Sequence, residues 1–338
     1  MKQRLLGTSG LRVSELCLGT SNFDATGIYE KTGVLDQEAA NHLVGEAMDA
    51  GINFFNTAEV YSDGNAEIAL GKALGKRRGD AIVITKVHPK RIPGYDRGHS
   101  RTHIVEGCHA SLKRLGTDYI DILELHFFDP DTPLEVTIRA MDDLVRSGKV
   151  RYIGCSNFSG WQLMKGLAIS ERRGWEKFTT LESMYSLVCR DLEYEVIPAC
   201  IDQGVAFLAF SPLHGGYLAG KYRRDQPLPQ GTRFDRIEQR GPWAVEPAKL
   251  FDIVDVLDLI AANHEATVSQ AALNYVLRKP GVCSLIVGAR NAAQLYENVK
   301  ATEWEMTEDE FLRLDALSMP ARKYPYEVFD PLKAPPDA

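Results

Sequence analysis

Three residues that can share a proton stand just beyond short apolar runs of this chain. Tyr61 follows NFF (53–55), Lys86 follows AIVIT (81–85) and His126 follows YIDILEL (119–125). A phenol, an ammonium and an imidazole that converge suit proton transfer to or from an oxygen. The phenol has an ordinary pKa near 10, so it needs a cation beside it to work near neutrality, and Lys86 is the available one. Other runs end on polar or aromatic groups. Asn56 closes GINFFN (51–56), Ser156 and Asn157 follow VRYIGC (150–155), Glu182 and Tyr185 belong to TTLESMY (179–185), and Phe210 and Ser211 end VAFLAFS (205–211). Taken singly, each has a bland explanation as a solvated charge or a satisfied structural residue. Their joint placement carries the argument. Asn56 is the odd member, an amide where a carboxylate would be the more reactive choice.

The elements that must position these groups repeat eight times. Apolar runs at 16–19, 53–55, 81–85, 119–125, 150–155, 179–184, 205–210 and 283–288 alternate with helical patterns such as 36–50, 66–74, 101–115, 134–148 and 292–301. Strand and helix alternating in this way imply parallel strands with crossover helices. Eight such units favour a closed (β/α)8 TIM barrel, whose active sites lie at the C-terminal ends of the strands. Residues 1–15, with Gly7 and Gly10 between two short runs, predict a hairpin ahead of the first barrel strand, placed to plug its bottom. Long loops are expected at 87–100 and 211–248, with a tail at 319–338, and nothing marks a linker. The chain reads as one barrel domain over 1–338.

Composition narrows the function classes. Hydrophobic residues make up 44% and charged residues 25%, with a net charge of −7. That balance carries no electrostatic footprint for nucleic acid. Six scattered cysteines without a C-x-x-C pair read as free thiols. No leader and no membrane-spanning run is found, so a cytoplasmic location is expected. GGYLAGKY (215–222) matches G-x-x-x-x-G-K but continues with Tyr222 rather than the Ser or Thr that a phosphate loop needs. No G-x-G-x-x-G follows a strand, which leaves the open-sheet dinucleotide fold without support. His88, His126 and His214 could meet at a barrel mouth, but only Glu124 and Glu182 offer carboxylates there, and no metal is expected.

The stretches GTSGLRVSELCLGT (7–20), GINFFNTAEVY (51–61), SLKRLGTDYIDILELH (111–126), GKVRYIGCSNFS (148–159), AFSPLHGGYLAGKY (209–222) and LIVGARNAAQLYENV (285–299) together resemble the aldo-keto reductases. The resemblance implies NADPH-dependent reduction of an aldehyde or ketone, or the reverse oxidation, on a barrel without a Rossmann fold. It makes Tyr61 the general acid, Lys86 the residue that lowers its pKa and His126 the residue that orients the carbonyl. Asn56 falls where the family has Asp. Ser156 and Asn157 match the pair that hydrogen-bonds the nicotinamide carboxamide, and Glu182 falls where the family usually has Gln for the same group. Phe210 matches the aromatic ring that stacks on nicotinamide. Ser211, Leu213, Gly215 and Gly216 match the pyrophosphate strap, and Gly288, Arg290, Gln294, Glu297 and Asn298 the adenosine end. Arg290, the one cation of that set, could pair with a 2′-phosphate, which favours NADP(H) over NAD(H).

Two questions stay open at the level of sequence. Without a carboxylate at 56, Lys86 could act as a stronger cation on Tyr61, or lose its own proton, unless Glu182 supplies the missing charge. A rival from another class is a cofactor-binding, redox-sensing protein similar to potassium-channel β subunits. The loop residues His88, Tyr95, Phe127, Phe128, Trp243, Tyr324 and Tyr326 suit a keto-sugar, a ring ketone or an aromatic aldehyde equally. Oligomeric state leaves no signal.

Overall fold

The computed structural model describes residues 1–89, 91–92, 95–96, 98–224, 226–227, 244–321 and 324–328, with the side chains of 31, 32, 91, 92, 95 and 96 excepted. Trp243 and the Tyr95 side chain therefore lie outside what is described. The strands are β1 (Gln3–Leu5), β2 (Arg12–Ser14), β3 (Leu16–Gly19), β4 (Phe54–Asn56), β5 (Ile82–Val87), β6 (Arg91–Ile92), β7 (Tyr95–Asp96), β8 (Ile120–Leu125), β9 (Val150–Ser156), β10 (Phe178–Met184), β11 (Ala206–Phe210) and β12 (Val282–Val287). The helices are α1 (Gln37–Asp49), α2 (Asn65–Leu74), α3 (Arg101–Leu115), α4 (Leu134–Arg146), α5 (Gly160–Arg173), α6 (Val196–Gln203), α7 (Pro247–Asn263), α8 (Val268–Arg278), α9 (Ala292–Lys300) and α10 (Glu308–Ser318).

Eight parallel strands close into a barrel in the order β10-β11-β12-β3-β4-β5-β8-β9. The expected (β/α)8 barrel is what the chain forms. β1 and β2 make the expected antiparallel hairpin, pairing Gln3 with Ser14. Thr8 N–H donates to the Gly204 carbonyl just ahead of β11, so the hairpin lies at the bottom of the barrel. Its Leu6 and Val13 pack with Cys17, Phe54, Ile84, Ile122 and Leu208 in the barrel interior. A second small hairpin, β6–β7, stands in the long connection after β5. Among the described residues, no helix is long and apolar enough to cross a membrane.

Several strands run further than their apolar runs predict. Asn56, Lys86 and Ser156 lie inside β4, β5 and β9 rather than beyond them. Asn56 and Ser156 are the last residues of their strands, as the sequence implied, while Lys86 is followed by Val87 and finds its acceptors in the barrel interior. Local capping sets the helix starts: Asp36 caps α1 by accepting from Ala39 N–H, and Gln162 Oε1 accepts from Ser159 N–H at the start of α5.

Candidate active site

Strand alternation decides which side chains enter the barrel. Phe55, Val83, Leu123, Ile153 and Leu181 face outward and pack in the large core that contains helix residues. Cys17, Phe54, Ile84, Ile122 and Leu208 face inward. Two residues further along the same strands, on the same inward face, come Gly19, Asn56, Lys86, Glu124 and Phe210. The interior is thus apolar at its base and ionisable toward its mouth. His126 follows Glu124 with the same parity.

The polar layer is a connected network. Lys86, fully buried, donates from Nζ to Asn56 Oδ1 at 2.7 Å and to the Thr57 carbonyl at 3.0 Å. Its third contact is with Glu182 Oε2 at 3.2 Å. Asn56 Nδ2 donates to the same Glu182 oxygen at 2.7 Å. The partners orient the amide: an ammonium only donates, so it requires the Asn56 oxygen, and a carboxylate only accepts, so it requires the nitrogen. β4 and β10 are four strands apart in either direction around the eight-stranded ring. The Asn56–Glu182 bond therefore crosses the diameter of the barrel, and a negative charge reaches Lys86 from the wall opposite position 56.

Electrostatics follow from that geometry. Burial works against the Lys86 charge, but the Glu182 carboxylate outweighs it and holds the ammonium above its ordinary pKa, which favours the protonated lysine. Tyr61 opens a short turn after β4, and Lys86 Nζ lies 5.5 Å from the centre of its ring. Burial pushes the phenol above its ordinary value, against the pull of the Lys86 charge. The lowering expected from the lysine is thus only partial, because desolvation is the larger effect. His126 is driven well below the usual imidazole range by burial first and then by Lys86, His88 and His99, so the ring is neutral. Its Nδ1 is buried and has no partner among the described residues. The rings of Tyr29 and His126 stand 5.3 and 6.0 Å from that of Tyr61, and Phe127 stacks on His126 at 5.0 Å.

The remaining expected site residues follow the strand exits. Ser156 is buried at the end of β9, and its Oγ accepts from Asn157 Nδ2 at 2.9 Å, which leaves the hydroxyl proton able to donate. Asn157 Nδ2 also reaches the His126 carbonyl. Asn157 and Ser211 hold positive φ angles of 57° and 53°. Of the seven non-glycine residues at positive φ among the described residues, all but Glu265 follow barrel strands, the end where strained backbone serves a site. Phe210 ends β11, and Leu213 begins a turn in which Gly215 and Gly216 take φ of 66° and 103°. Such consecutive turning amides can face an anion. At the far end, Arg290 lies along Gly33, its N–H bonded to Gln294 Oε1. Asn298 is tied to the Gly288 carbonyl, and Glu297 accepts from Thr267.

Three contributors escaped the sequence reading. Tyr29 reaches Tyr61 from the loop after β3, and no pattern in that loop marks it. Trp161 lines a groove with Phe127, Phe128 and Asn157. Glu124 was weighed only as a weak metal ligand, although its inward parity two residues before His126 was visible. His88 and His126 are neighbours at 5.3 Å, while His214 pairs with Ser186. No cluster of His, Cys, Asp or Glu able to hold a metal is present among the described residues.

An eight-stranded parallel barrel with a buried lysine, a tyrosine and a neutral histidine at the C-terminal mouth defines an oxidoreductase barrel of one broad class. A profile of the Aldo/keto reductase family matches residues 15–319, and the chain belongs to that family. It is 37% identical over 327 residues to the uncharacterized oxidoreductase YrpG of Bacillus subtilis, covering 93% of this chain and 94% of that one. It is 32% identical to the versiconal hemiacetal acetate reductase of Aspergillus parasiticus, covering 97% and 100%. A putative voltage-gated potassium channel subunit beta of Schizosaccharomyces pombe is 36% identical, covering 89% and 88%.

Proposed function

We propose that this chain is a single-domain, cytoplasmic NADPH-dependent reductase of an aldehyde or ketone, with Tyr61 as general acid. The observation that carries this reading is the Lys86–Glu182 ion pair, joined through Asn56 and set beside Tyr61 and His126. The charge lost at 56 is supplied at 182, so the acid keeps a protonated, counter-balanced lysine.

The residues present fit a nicotinamide cofactor: a buried serine hydroxyl with a proton to give, and a turn of positive-φ glycines open to phosphate. Ser156 would donate to the carboxamide oxygen. Glu182, which only accepts, would take a hydrogen bond from the carboxamide nitrogen. Ser211, Leu213, Gly215 and Gly216 would strap the pyrophosphate, Phe210 would lie on the ring, and Gly288, Arg290, Gln294, Glu297 and Asn298 would hold the adenosine end. Arg290 favours the 2′-phosphate of NADPH. When bound, the reduced nicotinamide supplies a hydride to the carbonyl carbon. Tyr61 gives its phenolic proton to the carbonyl oxygen, and Lys86 stabilises the phenolate that remains. His126, being neutral, donates one ring N–H to the same oxygen without competing for the proton. Burial of Lys86 and Asn56 keeps water from this exchange.

A second reading is a cofactor-binding regulatory protein, favoured by the similarity to the proteins named as channel β subunits. NADPH fluorescence titration followed by oxidation against aldehydes, ketones, keto-sugars and quinones separates the two. Turnover abolished by Tyr61→Phe supports the reductase. Tight binding without turnover across the panel supports the regulator.

A further inference from the structure

Beside the Lys86–Asn56–Glu182 chain, in the same layer of the barrel, lies a second carboxyl group. Glu124 is fully buried on β8 and is the register partner of Lys86 on β5 and of Gly154 on β9. Its Oε1 accepts from Thr180 Oγ1 on β10 at 2.7 Å, across β9. The strand between them makes room for that bond. A Cβ on Gly154 would stand 2.0 Å from Thr180 Oγ1 and 3.0 Å from Glu124 Oε1. Glycine at 154 is required by this close approach rather than by a turn.

The other oxygen poses a problem of donors. Glu124 Oε2 is buried and finds no donor among the described residues. Lys86 has no N–H to spare, because its three must already serve Asn56 Oδ1, the Thr57 carbonyl, the Glu182 carboxylate and the Tyr61 hydroxyl. Glu182 lies two residues past Thr180 on the same face of β10 and 3.2 Å from Lys86, the register partner of Glu124, which puts the two carboxyl groups side by side and within hydrogen-bonding reach. Two ionised carboxyl groups in contact would repel, with one cation already committed to one of them. A single proton on Glu124 Oε2 resolves both difficulties at once, since it gives the orphan oxygen a role as donor and Glu182 a further hydrogen bond. The titratable groups within electrostatic reach of Glu124 are Lys86 on β5, Glu182 on β10 and Cys17 on β3 inside the barrel, Tyr61 beyond Lys86, and Cys155 on the outer face of β9. Both thiols are pushed up by burial and are neutral. Burial, followed by Glu182, likewise pushes the Glu124 carboxyl well above the usual range.

We propose that Glu124 is a neutral carboxylic acid whose O–H donates to Glu182, a positioning residue that pins the site's one carboxylate against Lys86 and Asn56. The protonation state stands independently of catalysis, while the positioning role rests on the reductase reading above. The pair shares one proton, and no proton leaves it during turnover.

Infrared difference spectroscopy between the native protein and Glu124→Gln at pH 7 tests the protonation. The native protein is expected to show a carboxylic C=O stretch that the variant lacks, and that shifts in Glu182→Gln when the strong acceptor is removed. No difference band in the carboxylic region overturns the proposal, whether or not any carbonyl is turned over. Kinetics test the role. Glu124→Gln keeps an N–H donor toward Glu182 and leaves the kcat/KM pH profile within about twofold of native. Glu124→Leu keeps the bulk but not the donor, and lowers kcat about tenfold or more with KM little changed and the pH profile displaced. A pH profile displaced in Glu124→Gln would mean that a charge had been removed, and the acid would then be ionised in the native protein.

Discussion

Two regions of this molecule bury lysine among carboxyl groups, and they do so in opposite ways. Behind the barrel, Arg190 after β10 and Lys279 at the end of α8 meet Glu193 and Asp315, the latter on α10. Arg190 binds Glu193 at 2.7 Å and Asp315 at 2.8 Å, while Lys279 binds Asp315 at 2.8 Å and Glu193 at 3.3 Å. Tyr185 and Tyr275 each donate a phenolic proton to these carboxylates. Two cations face two anions, and none of the four side chains has a buried atom without a partner. At the mouth, one cation faces two carboxyl groups, and Thr57 Oγ1, Glu124 Oε2 and His126 Nδ1 have no partner among the described residues.

Charge balance explains the difference in behaviour. Burial opposes ionisation in both places, but the two cations hold Glu193 and Asp315 below the usual carboxylate range, while Glu124 is pushed above it. The balanced set is a clamp that ties α8 and α10 to the loop after β10. The unbalanced set keeps a proton in the interior and polar atoms unspent, as a site that must respond to a substrate requires.

Paired tyrosines test the contrast with the largest effect. Tyr61→Phe is expected to lower kcat/KM by about 10²–10⁴-fold, with NADPH affinity kept. Tyr275→Phe removes the hydrogen bond to Asp315 and should cost about 1–3 kcal/mol in denaturant unfolding, with kcat/KM unchanged. An equal loss of activity in both would break the division. Next, Arg190→Met leaves two buried carboxylates with one cation and should cost about 3–5 kcal/mol of stability, read from the urea midpoint, while the folded fraction keeps its kcat.

Acid should strike the wall of the site at a higher pH than the clamp. Burial lowers His99 from the ordinary imidazole value of about 6.5 to about 4, against its hydrogen bond to the Val87 carbonyl. The folded state binds the proton less well than the unfolded chain. The stabilisation is therefore complete above the unfolded value of about 6.5 and is lost as pH falls from there through about 4. Up to about 3 kcal/mol should disappear across that window, and a His99→Gln variant should show a flatter stability curve there. Glu193 and Asp315, whose values are lowered, should release their contribution only when pH falls through the carboxylate range.

The smallest effect is a coupling. Asn56→Asp puts a further carboxyl group beside Glu182, and Glu182→Gln strips Lys86 of its counter-ion. Each should disturb the kcat/KM pH profile, but the double variant moves the charge across the barrel and restores it. A double-mutant cycle is expected to show about 1–2 kcal/mol of favourable coupling, and additive effects would mean that the two positions act independently.

Much of this was legible before any coordinates. The alternation of runs and helices implied the barrel because each apolar run needs covering on both faces, and α3 occupies residues 101–115 as its pattern implied. Boundaries were missed where a polar residue continued a strand: Lys86 looked like the end of AIVIT, but the barrel interior supplies its acceptors, so β5 runs on to Val87. Tyr61, Lys86 and His126 were marked by the apolar runs they follow. Asn56 and Glu182 were recognisable as departures, and Glu182 as a possible source of the charge missing at 56, but not the 2.7 Å bond that joins them.

What the chain alone determined was the order of elements and the inward parity of each strand, since both depend on local periodicity. What only the tertiary structure decided was which inward groups meet. Asn56 and Glu182 are separated by 126 positions and lie on opposite walls, and no spacing rule reports a distance that exists only once the ring of strands has closed. Closure also sets the proton count, because it alone brings Glu124 and Glu182 to a single lysine.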